Sequence, residues 1–73
     1  MEELVGILTK VCPDIDFENE RNLVDDGVLS SFDMIAIVNE LVDAFGVDIG
    51  VSDLEADNFN SAQAMWDFIQ QQL

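Results

Sequence analysis

The sequence predicts an all-α fold: a small antiparallel four-helix bundle with a short third helix and a long loop between the first two helices. Apolar residues recur at helical spacing in three segments, and no stretch of useful length alternates apolar and polar residues as a half-buried strand does. A length of 73 residues allows one small domain around a single core. The whole chain, residues 1–73, is therefore expected to form one domain.

The first helix is predicted from "EELVGILTKVC", where Leu4, Leu8 and Val11 fall near helical spacing. Pro13 ends this helix, because the residue before a proline is pushed out of the α region. The connection that follows runs to about Leu29, and loops of that length are often functional. The apolar residues expected to pin it to the core are Ile15, Phe17, Leu23, Val24, Val28 and Leu29.

The second helix is predicted from about Ser31 to Phe45. Gly46 stops it, in the position where a left-handed residue usually ends a helix. The core stripe expected on this helix is Ile37, Leu41 and Phe45, with Met34 and Val38 beside it.

Two further helices are predicted in the last third of the chain. "SDLE", from Ser52 to Glu55, has the pattern of a capping box, so a short helix is expected to follow Ser52. "FNSAQAMWDFIQQQL" predicts the last helix, capped by Asn60 or Ser61. The apolar face expected on it is Met65, Trp66, Phe68, Ile69 and Leu73.

Two adjacent serines, Ser30 and Ser31, stand where the second helix begins. With Ser30 as the N-cap, Asp33 falls at the third helical position and completes a capping box. Ser31 then lies on the first turn with a hydroxyl that the helix does not need. A helix N-terminus offers unpaired N–H groups and partial positive charge, which suit an anion such as a phosphodiester. The alternative is that Ser31 is only a second capping candidate.

Phe32 and Ile35 are bulky apolar residues beside this spare serine. At about 100° per residue they face away from Ile37 and Leu41, so they are expected to be partly exposed and to form a docking site. The alternative is that both belong to the core, as apolar residues at helical spacing usually do.

The charge excludes several classes of partner. Only Lys10 and Arg21 oppose 16 acidic residues, which gives a formal charge of −14. Such a surface repels nucleic acid and anionic lipid and attracts proteins with basic patches. A lone cysteine, Cys12, excludes an internal disulfide and fits a reducing compartment. Without a signal-peptide pattern or an apolar run of membrane-spanning length, we expect a cytoplasmic protein with no membrane insertion.

"LVDDGVLSSFDMIAIVNELVDAFGVDI" resembles the central segment of the phosphopantetheine-carrying family: acyl carrier proteins, peptidyl carrier domains and D-alanyl carrier proteins. Ser31 falls on the modified serine of that family, Phe32 on the large apolar residue after it, and Phe45 on the helix-ending phenylalanine. The acidic turn Asp25–Gly27 and the apolar-acidic-apolar stretch Val47–Ile49 also match. Length, acidity and helix order extend the resemblance to nearly the whole chain.

Within the family, "DDGVLSSF" and "NFNSAQAMWDFI" are most similar to stand-alone D-alanyl carrier proteins. The chain departs from the family pattern at several positions. Ser30 replaces the usual aspartate before the modified serine, and Gly50 replaces a common proline. Ala36 and Val42 stand where glutamates are frequent, which implies partners reached more by apolar contact than by charge.

The resemblance implies that Ser31 carries 4′-phosphopantetheine, moved from coenzyme A by a phosphopantetheinyl transferase. The arm's thiol then holds an acyl or aminoacyl group as a thioester. An adenylate-forming ligase or an acyltransferase loads it, and a downstream acyl-accepting enzyme unloads it. The carrier is expected to be a monomer and not an enzyme, with a partner surface formed by Phe32, Ile35 and Asp33.

Three other classes of protein compete with this interpretation. An enzyme is disfavoured because the chain has no histidine and Cys12 sits directly before a proline. A calcium-binding loop starting at Asp14 would place Asn19 at its glycine position and Asp25 at its glutamate position. An unmodified acidic adaptor or inhibitor explains the charge but not the placement of Ser31.

Overall fold

The computed structural model describes residues 1–73 and contains helices and turns with no strand. The helices are α1 (Glu2–Val11), α2 (Ser31–Phe45), α3 (Ala56–Phe59) and α4 (Ala62–Gln70), with a 3-10 turn at Val51–Asp53. An all-helical fold with a short third helix is therefore confirmed. None of these helices is long and apolar enough to cross a membrane.

The centre of the core lies along α1, which packs against both α2 and α4. Leu4 and Leu8 face inwards and have no exposed surface, and the helix ends at Val11, as Pro13 predicts. The buried apolar cluster comprises Leu4, Leu8, Cys12, Phe17, Leu23, Leu29, Ile37, Leu41, Val47, Phe59, Ala62, Met65 and Ile69.

The connection between α1 and α2, from Cys12 to Ser30, contains turns but no helix. Its fixed points are three buried side chains, Phe17, Leu23 and Leu29. Fully burying an apolar side chain of this size contributes about 1.5–3 kcal/mol, which offsets part of the entropy lost when the connection is ordered. The other predicted contact residues, Ile15, Val24 and Val28, are half-buried against the same core.

Helix α2 has the predicted bounds and the predicted inner face. Ile37 and Leu41 are buried, and Phe45 packs edge-on against Trp66 of α4 with ring centroids 6.1 Å apart. Gly46 ends the helix at φ 66°, a conformation that side chains other than glycine rarely adopt. Beside this stripe, Met34 and Val38 are half-buried.

The predicted capping box at Ser52 is wrong. Ser52 lies inside the 3-10 turn, and the short helix begins only at Ala56. The neighbouring Asp53 explains the difference, because its Oδ2 accepts the N–H of Gly50 at 2.9 Å and its own N–H donates to the Gly50 carbonyl at 3.0 Å. This pairing makes Gly50 the cap of the 3-10 turn, so Ser52 lies within the turn and caps no helix.

Helix α4 is capped by Ser61, whose Oγ accepts the N–H of Ala64 at 3.0 Å. Met65 and Ile69 are buried as predicted, and Trp66 is half-buried against the same core. Phe68 is also half-buried, and its ring packs against that of Phe59 with centroids 6.2 Å apart. The assignment of Leu73 to this face is wrong: it lies beyond the end of the helix and is 70% exposed. Because α4 ends at Gln70, Leu73 does not continue the inward-facing stripe of this helix.

Candidate functional site

The N-terminus of α2 is closed by a reciprocal capping box. Ser30 Oγ accepts the N–H of Asp33 at 3.1 Å, and Asp33 Oδ2 accepts the N–H of Ser30 at 3.2 Å. Ser30 itself has extended backbone angles, as an N-cap requires. The prediction that Ser30 is the N-cap of this helix is therefore confirmed.

Ser31 occupies the first helical position, is exposed, and takes no part in the cap. The backbone N–H groups of Ser31 and Phe32 donate to no acceptor in the protein. A primary hydroxyl thus stands beside two free donors at the positive end of a 15-residue helix. An exposed hydroxyl next to free N–H groups fits the phosphodiester of a phosphopantetheine arm.

The acidic turn before α2 is held by Asn60, a residue considered from the sequence only as a possible cap of the last helix. The Oδ1 of Asn60 accepts the N–H groups of Val24 and Asp25 at 3.0 and 3.1 Å, and its Nδ2 donates to Asp25 Oδ2 at 2.9 Å. The Asn60 carbonyl also accepts the N–H of Leu23 at 2.9 Å. One signal in the sequence could have revealed this role. Because Ser61 caps α4, the side-chain amide of the adjacent Asn60 is not needed for the cap and can bond elsewhere.

The outer face of α2 carries exposed apolar side chains. Phe32 is 79% exposed and Ile35 is 57% exposed, so neither belongs to the core. Val42, also exposed, lies within about 80° of Phe32 around the helix and continues the strip. Asp33, the third residue predicted for partner contact, is half-buried and its carboxylate is bound to the Ser30 N–H.

A groove lies between the end of α1, the following connection and the start of α2. Its lining includes Val11, Cys12, Ile15, Val28 and Asp33, and its volume is about 360 Å³. We call it the α1–α2 groove. A larger cleft of about 420 Å³ lies beside the first half of α1 and contains no residue of α2.

Cys12 is buried in the wall of this groove. Burial, and then the negative charge of Asp33, raise the pKa of the Cys12 thiol above its ordinary value of 9.0. The thiol is therefore protonated at neutral pH. Only the thiolate form of a cysteine is a strong nucleophile. In this environment Cys12 acts as a small buried hydrophobe and not as a reactive thiol. No cluster of three or more histidine, cysteine or acidic side chains is arranged to hold a metal ion.

The family model described as "Phosphopantetheine attachment site" matches residues 2–69. The match covers nearly the whole chain, so the chain belongs to this family. It is a carrier protein that holds 4′-phosphopantetheine covalently, and such domains work with a phosphopantetheinyl transferase and with acyl-handling enzymes. Domains of this kind are typically carriers rather than catalysts. No curated protein and no solved structure matches the chain.

Proposed function

We propose that this protein is an acyl or aminoacyl carrier whose phosphopantetheine arm is attached at Ser31. The observation that carries the assignment is the contrast between the two serines. The Ser30 hydroxyl is engaged by the Asp33 N–H, whereas the Ser31 hydroxyl is exposed and free. Attachment at Ser30 would compete with a cap worth about 1 kcal/mol, and attachment at Ser31 disturbs no hydrogen bond.

Attachment requires Ser31 to act as a nucleophile. Its Oγ attacks the phosphorus of coenzyme A that bears the pantetheine, and the new P–O bond forms as the bond to 3′,5′-adenosine bisphosphate breaks. The hydroxyl proton goes to a base of the transferase. The chain itself has no histidine, and the nearby Asp33 carboxylate is bound to the Ser30 N–H. The free N–H groups of Ser31 and Phe32 then stabilise the phosphodiester, with about 0.3–1 kcal/mol from the helix dipole.

The arm supplies a thiol that holds the cargo as a thioester. An adenylate-forming ligase or an acyltransferase loads it, and a downstream enzyme accepts the acyl group. Similarity of "DDGVLSSF" and "NFNSAQAMWDFI" to stand-alone D-alanyl carriers supports D-alanine as the first cargo to test. We place this carrier in the cytoplasm, as a monomeric single domain over residues 1–73 with an antiparallel arrangement of its helices.

The proposed partner surface is the exposed strip of α2 next to Ser31. Phe32 and Ile35 present apolar area to solvent although 25% of the residues in the chain are charged. Covering such area on a partner gains about 25 cal/mol per Å² before the costs of association are subtracted. Asp33 borders the strip and is assigned to the same surface, with its carboxylate also closing the cap.

The cargo is tested by loading. The arm is first added with coenzyme A and a broad-specificity transferase, and intact mass confirms the addition. The product is then incubated with ATP, D-alanine and an adenylate-forming D-alanine ligase, with L-alanine as the matched control. A D-alanyl mass increase that L-alanine does not give supports the D-alanyl assignment. If an acyltransferase loads the protein from acyl-coenzyme A and the ligase does not load it, the D-alanyl assignment is wrong and the protein is an acyl carrier.

The charge of −14 alone would also suit an unmodified acidic adaptor, but the match to the phosphopantetheine attachment family disfavours that function. A protein of that kind would gain no mass in the first step, although it is folded and its Ser31 is exposed.

A further inference from the structure

The turn from Leu23 to Leu29 leads the chain into α2 and ends one residue before Ser31's helix cap. Its base is closed by a backbone bond, because the N–H of Leu29 donates to the carbonyl of Leu23 at 2.9 Å. Both of these residues are buried, whereas the tip from Asp25 to Gly27 is exposed. The turn is therefore the segment that directly precedes the proposed attachment site, and its tip is open to partner proteins.

Asn60, at the junction of α3 and α4, binds this turn through its backbone and through both ends of its side-chain amide. Its carbonyl accepts the N–H of Leu23 at the base of the turn. Its Oδ1 accepts the N–H groups of Val24 and Asp25, and its Nδ2 donates to the Asp25 carboxylate. Because the Leu23 carbonyl accepts the N–H of Leu29, backbone bonds connect Asn60 to the residue that precedes the cap of α2.

We propose that Asn60 is a positioning residue for the attachment reaction: it holds the turn in the conformation that the phosphopantetheinyl transferase binds. This inference rests on the proposed attachment at Ser31. The side-chain bonds of Asn60 end on the turn, and the capping box at Ser30 is formed without it. Asn60 therefore acts on the reaction through the turn and not through the reacting hydroxyl.

The amide holds a part of the turn that the core does not hold. Burial of Leu23 and Leu29 fixes the two ends, but the tip has no buried side chain. Gly27 adopts φ 68°, and glycine reaches other backbone conformations as readily, so this residue permits the turn without enforcing it. Without the Asn60 amide the tip can sample other conformations, and a transferase that binds one of them must order it at a cost in affinity.

The alternative is that the same bonds only stabilise the fold. A loss of stability lowers the fraction of carrier that is folded, and it leaves the KM of the folded carrier unchanged. A loss of positioning raises the KM of carrier that is fully folded, because the cost of ordering the turn is then paid on binding. The KM for the carrier, measured on folded protein, therefore separates the two roles.

The first test measures initial rates of phosphopantetheine addition from coenzyme A by a broad-specificity transferase over a range of carrier concentrations. The variant is Asn60→Ala, and the matched control is Val47→Ala, a core truncation beyond the end of α2 that is opposite to Ser31. The temperature is one at which circular dichroism shows both variants to be fully folded. We expect the KM of Asn60→Ala to be about threefold to tenfold above that of the parent protein, and that of the control to stay within about twofold. A KM for Asn60→Ala no higher than that of the control would overturn the inference.

The second test exchanges the two side chains of the pair. Asn60→Asp keeps an oxygen for the N–H groups of Val24 and Asp25, but it loses the Nδ2 donor and places two carboxylates together. In the double variant Asp25→Asn with Asn60→Asp, the amide at position 25 donates to the carboxylate at position 60, and the net charge of −14 is unchanged. We expect Asn60→Asp to raise the KM as Asn60→Ala does, and the double variant to return within about twofold of the parent protein. A double variant with a KM as high as that of Asn60→Asp would contradict the proposed role.

The attachment proposal and the positioning inference fail in different ways. If no phosphopantetheine is added, or if Ser31→Ala still gains it, the attachment proposal fails and the positioning inference fails with it. If Ser31 is the site but Asn60→Ala has the same KM as Val47→Ala, the positioning inference alone fails.

Discussion

Replacing Asn60 by alanine tests how the acidic turn before Ser31 is held in place. The side-chain amide makes three hydrogen bonds to a segment that is 35 and 36 residues away in sequence: it accepts from Val24 and Asp25 and donates to Asp25. Asn60→Ala removes all three bonds. The bond from the Leu23 N–H to the Asn60 carbonyl is formed by the backbone and can persist.

The expected cost follows from where each partner lies. The Val24 N–H is partly buried, and leaving such a donor unpaired costs about 1–2 kcal/mol. The two bonds to Asp25 are exposed, so water replaces them and each loss costs about 0.5 kcal/mol. The sum is about 2–3 kcal/mol. For a domain of this size, 1 kcal/mol shifts Tm by about 4–8 °C, so Asn60→Ala should melt about 10–20 °C below the parent protein.

Thermal unfolding followed by far-UV circular dichroism measures this shift. Asn22→Ala is the matched control, because Asn22 is exposed and its side chain makes no hydrogen bond. We expect this control to stay within about 0.5 kcal/mol of the parent protein. An Asn60→Ala protein that melts as close to the parent as the control does would refute the conclusion that this amide holds the turn.

Three further predictions concern the core, the charge and the thiol. Phe32→Ala should lower the free energy of unfolding by less than about 1 kcal/mol but slow loading by the cognate ligase. Ile37→Ala should lower the free energy of unfolding by about 2–5 kcal/mol. Thermal melts measure the change in stability, and steady-state loading measures the change in rate. Because salt screens repulsion beyond about 10 Å at 0.1 M, Tm should rise with sodium chloride, and more with magnesium at equal ionic strength; an unchanged Tm would contradict this. The Cys12 thiol has a raised pKa in the folded state, so its contribution to stability is full below about pH 9 and falls above it. Melts between about pH 8 and 10 should show a decline that Cys12→Ala lacks.

The parts of the fold that the sequence predicted are those set by local signals. The bounds of α2 follow from a cap at Ser30 and a left-handed glycine at Gly46, and both act within one turn of the helix. The exposure of Phe32 and Ile35 follows from helical periodicity once the core stripe is known. The same local geometry singled out Ser31, and the family resemblance then gave that position a chemical meaning.

The parts that were missed depend on competition or on distant contacts. Near Ser52 two capping patterns overlap in the sequence. The structure forms the one in which Asp53 pairs with Gly50. The role of Asn60 depends on how α4 approaches the acidic turn, which no short window of sequence contains. The α1–α2 groove likewise exists only because the end of α1 and the start of α2 meet in space.

The most direct test of the central claim is intact-mass spectrometry of two single variants incubated with coenzyme A and a broad-specificity phosphopantetheinyl transferase. Circular dichroism first establishes that both variants are folded. Ser31→Ala should gain no phosphopantetheine, because it lacks the free hydroxyl. Ser30→Ala should still gain it, although loss of the cap costs about 1 kcal/mol. Modification of Ser31→Ala together with no modification of folded Ser30→Ala would contradict the assignment of Ser31 as the attachment site.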